Sequence, residues 1–241
     1  MLELPGMAKN RVGIIAPPSL ELLAASGAIT PAIAPEAQKV LRNTYMLLGM
    51  TLLFSSVTAG ISMAVGLSQG MALILSLVGF GLIFVVNKTA DSSNGLIAIF
   101  AFTGVMGAAL GPMLNHYVAL PGGPALVMQA LGGTALVFFG LSAYALTTRK
   151  DFSYMGGFLM VGLLVAVVAM IANIFLNIPA LSLTISAAVV MIMSGLILFD
   201  TSRIINGGET NYIRATVSLY LNIYNLFIHL LRLLSLGGGD D

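Results

Sequence analysis

Polar positions are so sparse along this chain that its apolar stretches run for about 20 residues at a time, the length a helix needs to cross a hydrocarbon core of about 30 Å. Seven such stretches stand out: Met46–Leu67, Gln69–Val86, Gly95–Val118, Leu126–Leu146, Gly156–Leu176, Leu181 to about Ile205, and about Val217 to Leu236. The strands of a membrane barrel would alternate over segments of about ten residues, whereas these runs are continuous. The pattern predicts an all-α polytopic membrane protein, a seven-transmembrane helix bundle.

Composition removes the alternatives. Only 8% of the 241 residues are charged and 58% are hydrophobic, against about 25% charged in soluble domains. The chain has no cysteine, which excludes disulfides, thiolate metal sites and a cysteine nucleophile. It has no tryptophan either, so interfacial anchoring falls to 7 tyrosines. A net charge of +1 excludes a nucleic-acid footprint.

Basic residues are retained on the cytoplasmic side of a membrane, and here their placement is nearly one-sided. Lys9, Arg11, Lys39 and Arg42 precede the first span, Lys88 follows the second, Arg149 and Lys150 follow the fourth, and Arg203 and Arg214 bracket the turn after the sixth. The alternate connections, at Ser68, Ala119–Ala125 and Asn177–Ala180, carry no charge. Seven spans therefore predict a cytoplasmic N-terminus and an external C-terminal tail, 237–241, around a transmembrane domain at 39–236. Residues 1–38 hold five of the nine prolines, a density that forbids a long helix. They read as a flexible cytoplasmic tail with a short interfacial helix at Ser19–Ile29 as its one regular element.

Ionisable groups within a span are costly and mark functional candidates. Asp200 lies near the cytoplasmic end of the sixth span with Arg203 at i+3, which suits either an interfacial ion pair or a chemical site. Arg232, near the outer end of the seventh, is long enough to snorkel to headgroups. The seventh span also carries Ser218, Asn222, Asn225 and His229 at steps of 4, 3 and 4, one helical face. That stripe either forms interhelical hydrogen bonds or lines a polar route through a central helix. Asp200 and Asn222 reach the same depth only if the linker is long, with the seventh span starting near Val217 and Asn206–Thr216 irregular. In the third span, Gly107-x-x-x-Gly111 allows close helix approach. Pro112 follows it and kinks the helix, making Gly111 and Pro112 a candidate hinge or a plain kink.

An enzyme is not expected. His116 and His229 sit in different spans with no acidic cluster to complete a metal site, phosphate-binding glycine loops are absent, and a serine–histidine pair would lack an acidic orienter. No cofactor is called for.

Phe199-Asp200-Thr201-Ser202, Gly207-Gly208-Glu209-Thr210-Asn211-Tyr212-Ile213-Arg214-Ala215 and Ser218 through Phe227 resemble the carboxy-terminal signature of the Bax inhibitor (TMBIM) family, more narrowly its bacterial YccA branch. Lys39–Tyr45, Gly132–Phe139, Thr147–Asp151 and Asn173–Leu176 also match, so the likeness runs from about Lys39 to the C-terminus. It implies a bundle with the seventh helix at its centre and a place in the bacterial inner membrane. One functional theme of the resemblance is association with the membrane AAA protease FtsH, and with its membrane regulators, as a modulator that limits proteolysis. A second is a pH-sensitive calcium leak gated by two aspartates, with a basic latch at the end of the second span. Carried over, the first aspartate falls on Asp200, the second on Asn222 and the latch on Lys88, with Arg203 nearby. Two carboxylates sharing a proton titrate as a coupled pair, which an Asp–Asn pair cannot do. The expectation is therefore a protease modulator, with a leak channel holding a calcium ion, or a non-transporting scaffold, as alternatives.

Overall fold

The computed structural model describes residues 33–237. Its helices are α1 (Pro35–Ala64), α2 (Gln69–Thr89), α3 (Asn94–Val118), α4 (Gly123–Thr148), α5 (Met155–Leu176), α6 (Pro179–Ile205) and α7 (Tyr212–Gly237). All seven are long and apolar enough to cross a membrane, as the hydropathy pattern predicts. Prolines at N1 or N2 open α1, α4 and α6, positions where a missing N–H costs nothing. Pro35 is why α1 begins earlier than expected: Pro35–Gln38, assigned above to the tail, form its first turn. The expected Ser19–Ile29 helix and residues 238–241 lie outside the described residues.

Burial ranks the helices. α7 packs against every other described helix except α5, which touches only α6. Large side chains on α5 such as Phe158 and Phe175, 80% and 83% exposed, are therefore lipid-facing. On α7 the buried side chains, from His229 and Asn222 through Leu219 and Leu226 to Tyr220, Leu231 and Val217, cover about two thirds of the circumference, as a helix with neighbours on most sides requires.

The tightest seam joins α1 to α3. A Cβ added to Gly107 would lie 2.2 Å from the Ser55 carbonyl oxygen, and one added to Gly111 would lie 2.1 Å from Ser62 Oγ, so only glycine permits this approach. Pro112 cannot donate to the carbonyl of Ala108 four residues earlier. Ser62 Oγ donates to that carbonyl across 2.7 Å, replacing from α1 the hydrogen bond α3 lacks. Gly111 and Pro112 are both buried in α3, so the candidate hinge lies inside the seam.

Candidate functional site in the seventh helix

The α6–α7 connection sets the geometry. α6 ends in a Schellman turn, with Gly207 left-handed at φ 76°, its N–H on Ile204 O and the Gly208 N–H on Arg203 O. Asn211 then caps α7. Its Oδ1 accepts from the N–H groups of Ile213 (2.8 Å) and Arg214 (3.1 Å), and its Nδ2 donates to Ala90 O (3.0 Å) and Asp91 Oδ1 (2.7 Å). Arg214 pairs with Asp91 as well. These contacts pin the start of α7 to the α2–α3 turn.

That pinning corrects the expected long irregular linker. Tyr212–Thr216 are helical, and the connection is only 206–211. Asp200 nonetheless meets the α7 stripe: Asn222 Nδ2 donates to Asp200 Oδ2 across 2.7 Å. At 1.5 Å per residue Asp200 lies about 7 Å inside the end of α6 and Asn222 about 15 Å inside the start of α7. The connection therefore climbs past the end of α6 before α7 turns inward, a distance six residues span easily.

Asp200 and Asn222 are 8% and 6% exposed, and Ser218, one turn earlier on α7, lies beside the same carboxylate. The rest of the stripe diverges. Asn225 Nδ2 donates to Leu221 O in its own helix. Ser186 Oγ donates to Ser182 O, which leaves His229 Nδ1–H to donate to Ser186 Oγ across 3.2 Å. Arg232 reaches the Ser182 hydroxyl. Two polar joints thus fasten α7 to α6, one near each end of the helix pair.

The remaining candidates stay apart from Asp200. Arg203 donates to Gly208 O at 3.0 Å, lies 3.8 Å from Glu209 and covers the Phe199 ring; it does not pair with Asp200, because the Schellman turn brings the Glu209 carboxylate to it instead. Lys88 is exposed at the end of α2 and has no ion pair among the described residues, and His116 is exposed against Tyr117.

Sequence reasoning missed a second polar face on α7. Tyr220 OH and Ser55 Oγ lie 2.7 Å apart, Tyr224 OH donates to Met106 O, and Thr216 Oγ1 donates to Tyr212 O and Thr44 O. The signal was the 4-residue spacing of Thr216, Tyr220 and Tyr224, which places three hydroxyls on one face. Chemically, the Asp200 carboxylate with the Ser218 hydroxyl and the Asn222 amide offers oxygen ligands of the kind hard cations take. Among the described residues no group of three or more His, Asp or Glu converges to hold a metal.

Residues 37–239 match the family described as Inhibitor of apoptosis-promoting Bax1. The chain belongs to the Bax inhibitor family. Similar proteins are found in bacteria. An Escherichia coli K12 protein named Modulator of FtsH protease YccA is 57% identical over 203 residues, covering 84% of this chain and 92% of that one. An uncharacterized membrane protein of Vibrio cholerae is 52% identical over 207 residues, 86% and 93% of the two chains. A Pseudomonas aeruginosa protein is 48% identical over 206 residues, again 86% and 93%. With seven spanning helices and these relatives, the chain is a multi-pass membrane protein.

Proposed function

We propose that this protein sits in the bacterial inner membrane, associates with the membrane-anchored AAA protease FtsH and restrains its proteolysis of other membrane proteins. The observation that carries this reading is the 57% identity, over 84% of the chain, to the relative named Modulator of FtsH protease YccA. The basic residues on these connections support an orientation with the N-terminus and the α2–α3, α4–α5 and α6–α7 turns on the cytoplasmic side. The protease's grip is placed on the proline-rich residues before α1, and resistance to extraction on the seams that lock α1, α3 and α7. Co-purification of the intact protein, and of a form lacking residues 1–32, with FtsH tests the reading. The intact protein is expected to retain the protease and to slow turnover of a membrane substrate; absence of association for both forms overturns it.

A second reading rests on the Asn222–Asp200 contact. A buried carboxylate with amide and hydroxyl neighbours supports a calcium leak, for which liposomes containing the protein should pass calcium, Asp200→Asn should abolish the flux, and Asn222→Asp should make it more pH-dependent. Flux that is absent, or unchanged by Asp200→Asn, counts against it.

A further inference from the structure

One face of α1 is left uncovered by the bundle. No Cα of α1 comes within 8 Å of one in α4, and the gap between them is a groove of about 480 Å³ whose floor includes Tyr220 and Tyr224 of α7. Its α1 wall includes Tyr45, Gly49, Leu52, Ser56 and Gly60, at steps of 4, 3, 4 and 4, a single helical face. A side chain added at Gly49 or Gly60 would meet nothing within 4 Å.

At the basic end this groove changes character. Tyr45 and Phe138 narrow it, with ring centroids 5.7 Å apart. The Tyr45 hydroxyl is buried without a partner, and so is the Ser142 hydroxyl, one turn beyond Phe138 on α4. Buried donors of this kind ordinarily have partners. Arg42 continues the α1 face three residues beyond Tyr45 and is exposed. The ion pairs among the described residues, Arg203–Glu209 and Arg214–Asp91, leave it without a carboxylate. Lys39 lies one turn farther out, and Arg149 and Lys150 follow at the end of α4, against Glu36 and Asp151 as the acidic groups on these segments.

We propose that the α1–α4 groove binds an anionic phospholipid of the cytoplasmic leaflet, with an acyl chain along the groove and the phosphate beside Arg42. Charge complementarity selects this occupant, as in other basic pockets between membrane helices on the cytoplasmic side. Length agrees: Tyr45 to Ser56 rises about 16 Å, close to half of a core about 30 Å thick, which is the reach of one leaflet's chains.

The test needs no protease, so its failure leaves the FtsH reading intact. The purified full chain is equilibrated with equal amounts of phosphatidylglycerol and phosphatidylcholine of identical chains, and retained lipid is read by native mass spectrometry. Phosphatidylglycerol is expected to be retained selectively. Arg42→Gln should lower its retention about fivefold and leave phosphatidylcholine unchanged, while Gly49→Leu should displace both lipids. Equal retention of the two lipids, or retention unaffected by Arg42→Gln, overturns the proposal. Melting temperatures check that the variants fold; if Gly49→Leu does not, Arg42→Gln, on an exposed side chain, decides the matter. A photoreactive residue at position 52 in native membranes should label lipid, and labelling of a protein helix instead overturns the assignment.

Discussion

Asn222 donates its amide N–H to the Asp200 carboxylate across 2.7 Å, between two helices joined by a connection of six residues. The direction of that bond matters. An amide can give a proton to a hydrogen bond but cannot take one from the carboxylate, so the pair is a fixed donor–acceptor joint and not a shared-proton dyad. With the His229–Ser186 contact toward the other end, it holds α7 in register against α6 at two depths.

Asn222→Ala removes the donor and leaves a buried carboxylate short of a partner. Hydrogen bonds to charged groups are each worth about 1.5–3 kcal/mol, so unfolding of the purified protein in denaturant should show a loss of about 2 kcal/mol. Asn222→Gln, which keeps an amide, should recover part of it. A loss under about 0.5 kcal/mol, the level of an ordinary surface substitution, would mean that the joint contributes little to the bundle.

Much of this was legible in the sequence because two independent signals agreed. Unbroken apolar runs set the number of helices, and the 4-3-4 spacing of Ser218, Asn222, Asn225 and His229 set one face of α7. The meeting of Asp200 with Asn222 was stated only under a condition, a long irregular linker, and that condition was wrong. What raises α7 is Asn211, gripping Ala90 and Asp91 more than a hundred residues away, a long-range contact with no local periodicity to announce it. The second polar face escaped for a related reason: tyrosines read as apolar bulk within a span, and only their partners Ser55 and Met106, on α1 and α3, make their hydroxyls count. The Pro112 kink was visible as a kink, but its partner Ser62 belongs to another helix.

Ser62→Ala should expose the cost of that kink. The Ala108 carbonyl would be left half-buried without that donor, at about 1–3 kcal/mol at most, and the melting temperature should fall. Adding Pro112→Ala restores an N–H four residues from Ala108, so the double variant should regain part of the loss. If it is no more stable than Ser62→Ala alone, the hydroxyl matters for packing and not for the stranded carbonyl.

In the α4–α5 turn, hydrogen bonds from the Ser153 side chain and from the Ser153 N–H, the latter at 2.8 Å, hold the Asp151 carboxyl below the usual range. A depressed value means stabilisation present above the unfolded carboxylate's value of about 3.9 and lost as pH falls through the folded one. The side chain is fully exposed, so the effect is small. Asp151→Asn should flatten the fall in melting temperature between about pH 5 and pH 3 while leaving neutral-pH stability nearly unchanged; an identical acid limb in the variant would remove Asp151 from the account.

Tyr220 and Ser55 offer the cleanest measure of how firmly the centre of the bundle is tied to α1. Their oxygens are 2.7 Å apart, Tyr220 is completely buried, and its ring packs edge-on against Phe102 at 5.4 Å. Tyr220→Phe keeps the ring and removes the hydroxyl, orphaning Ser55 Oγ at a cost of about 1–3 kcal/mol. Ser55→Ala does less, because the Tyr220 hydroxyl can still turn to the Thr103 carbonyl at 3.4 Å. The double variant leaves neither Ser55 nor Tyr220 with an orphaned hydroxyl, so it should be destabilised by less than the sum of the two single changes, with a coupling of about 1 kcal/mol. Strict additivity would show that the two hydroxyls do not depend on each other. The α1–α7 seam would then rest on shape alone, and extraction by an unfoldase would be resisted by packing and not by this bond.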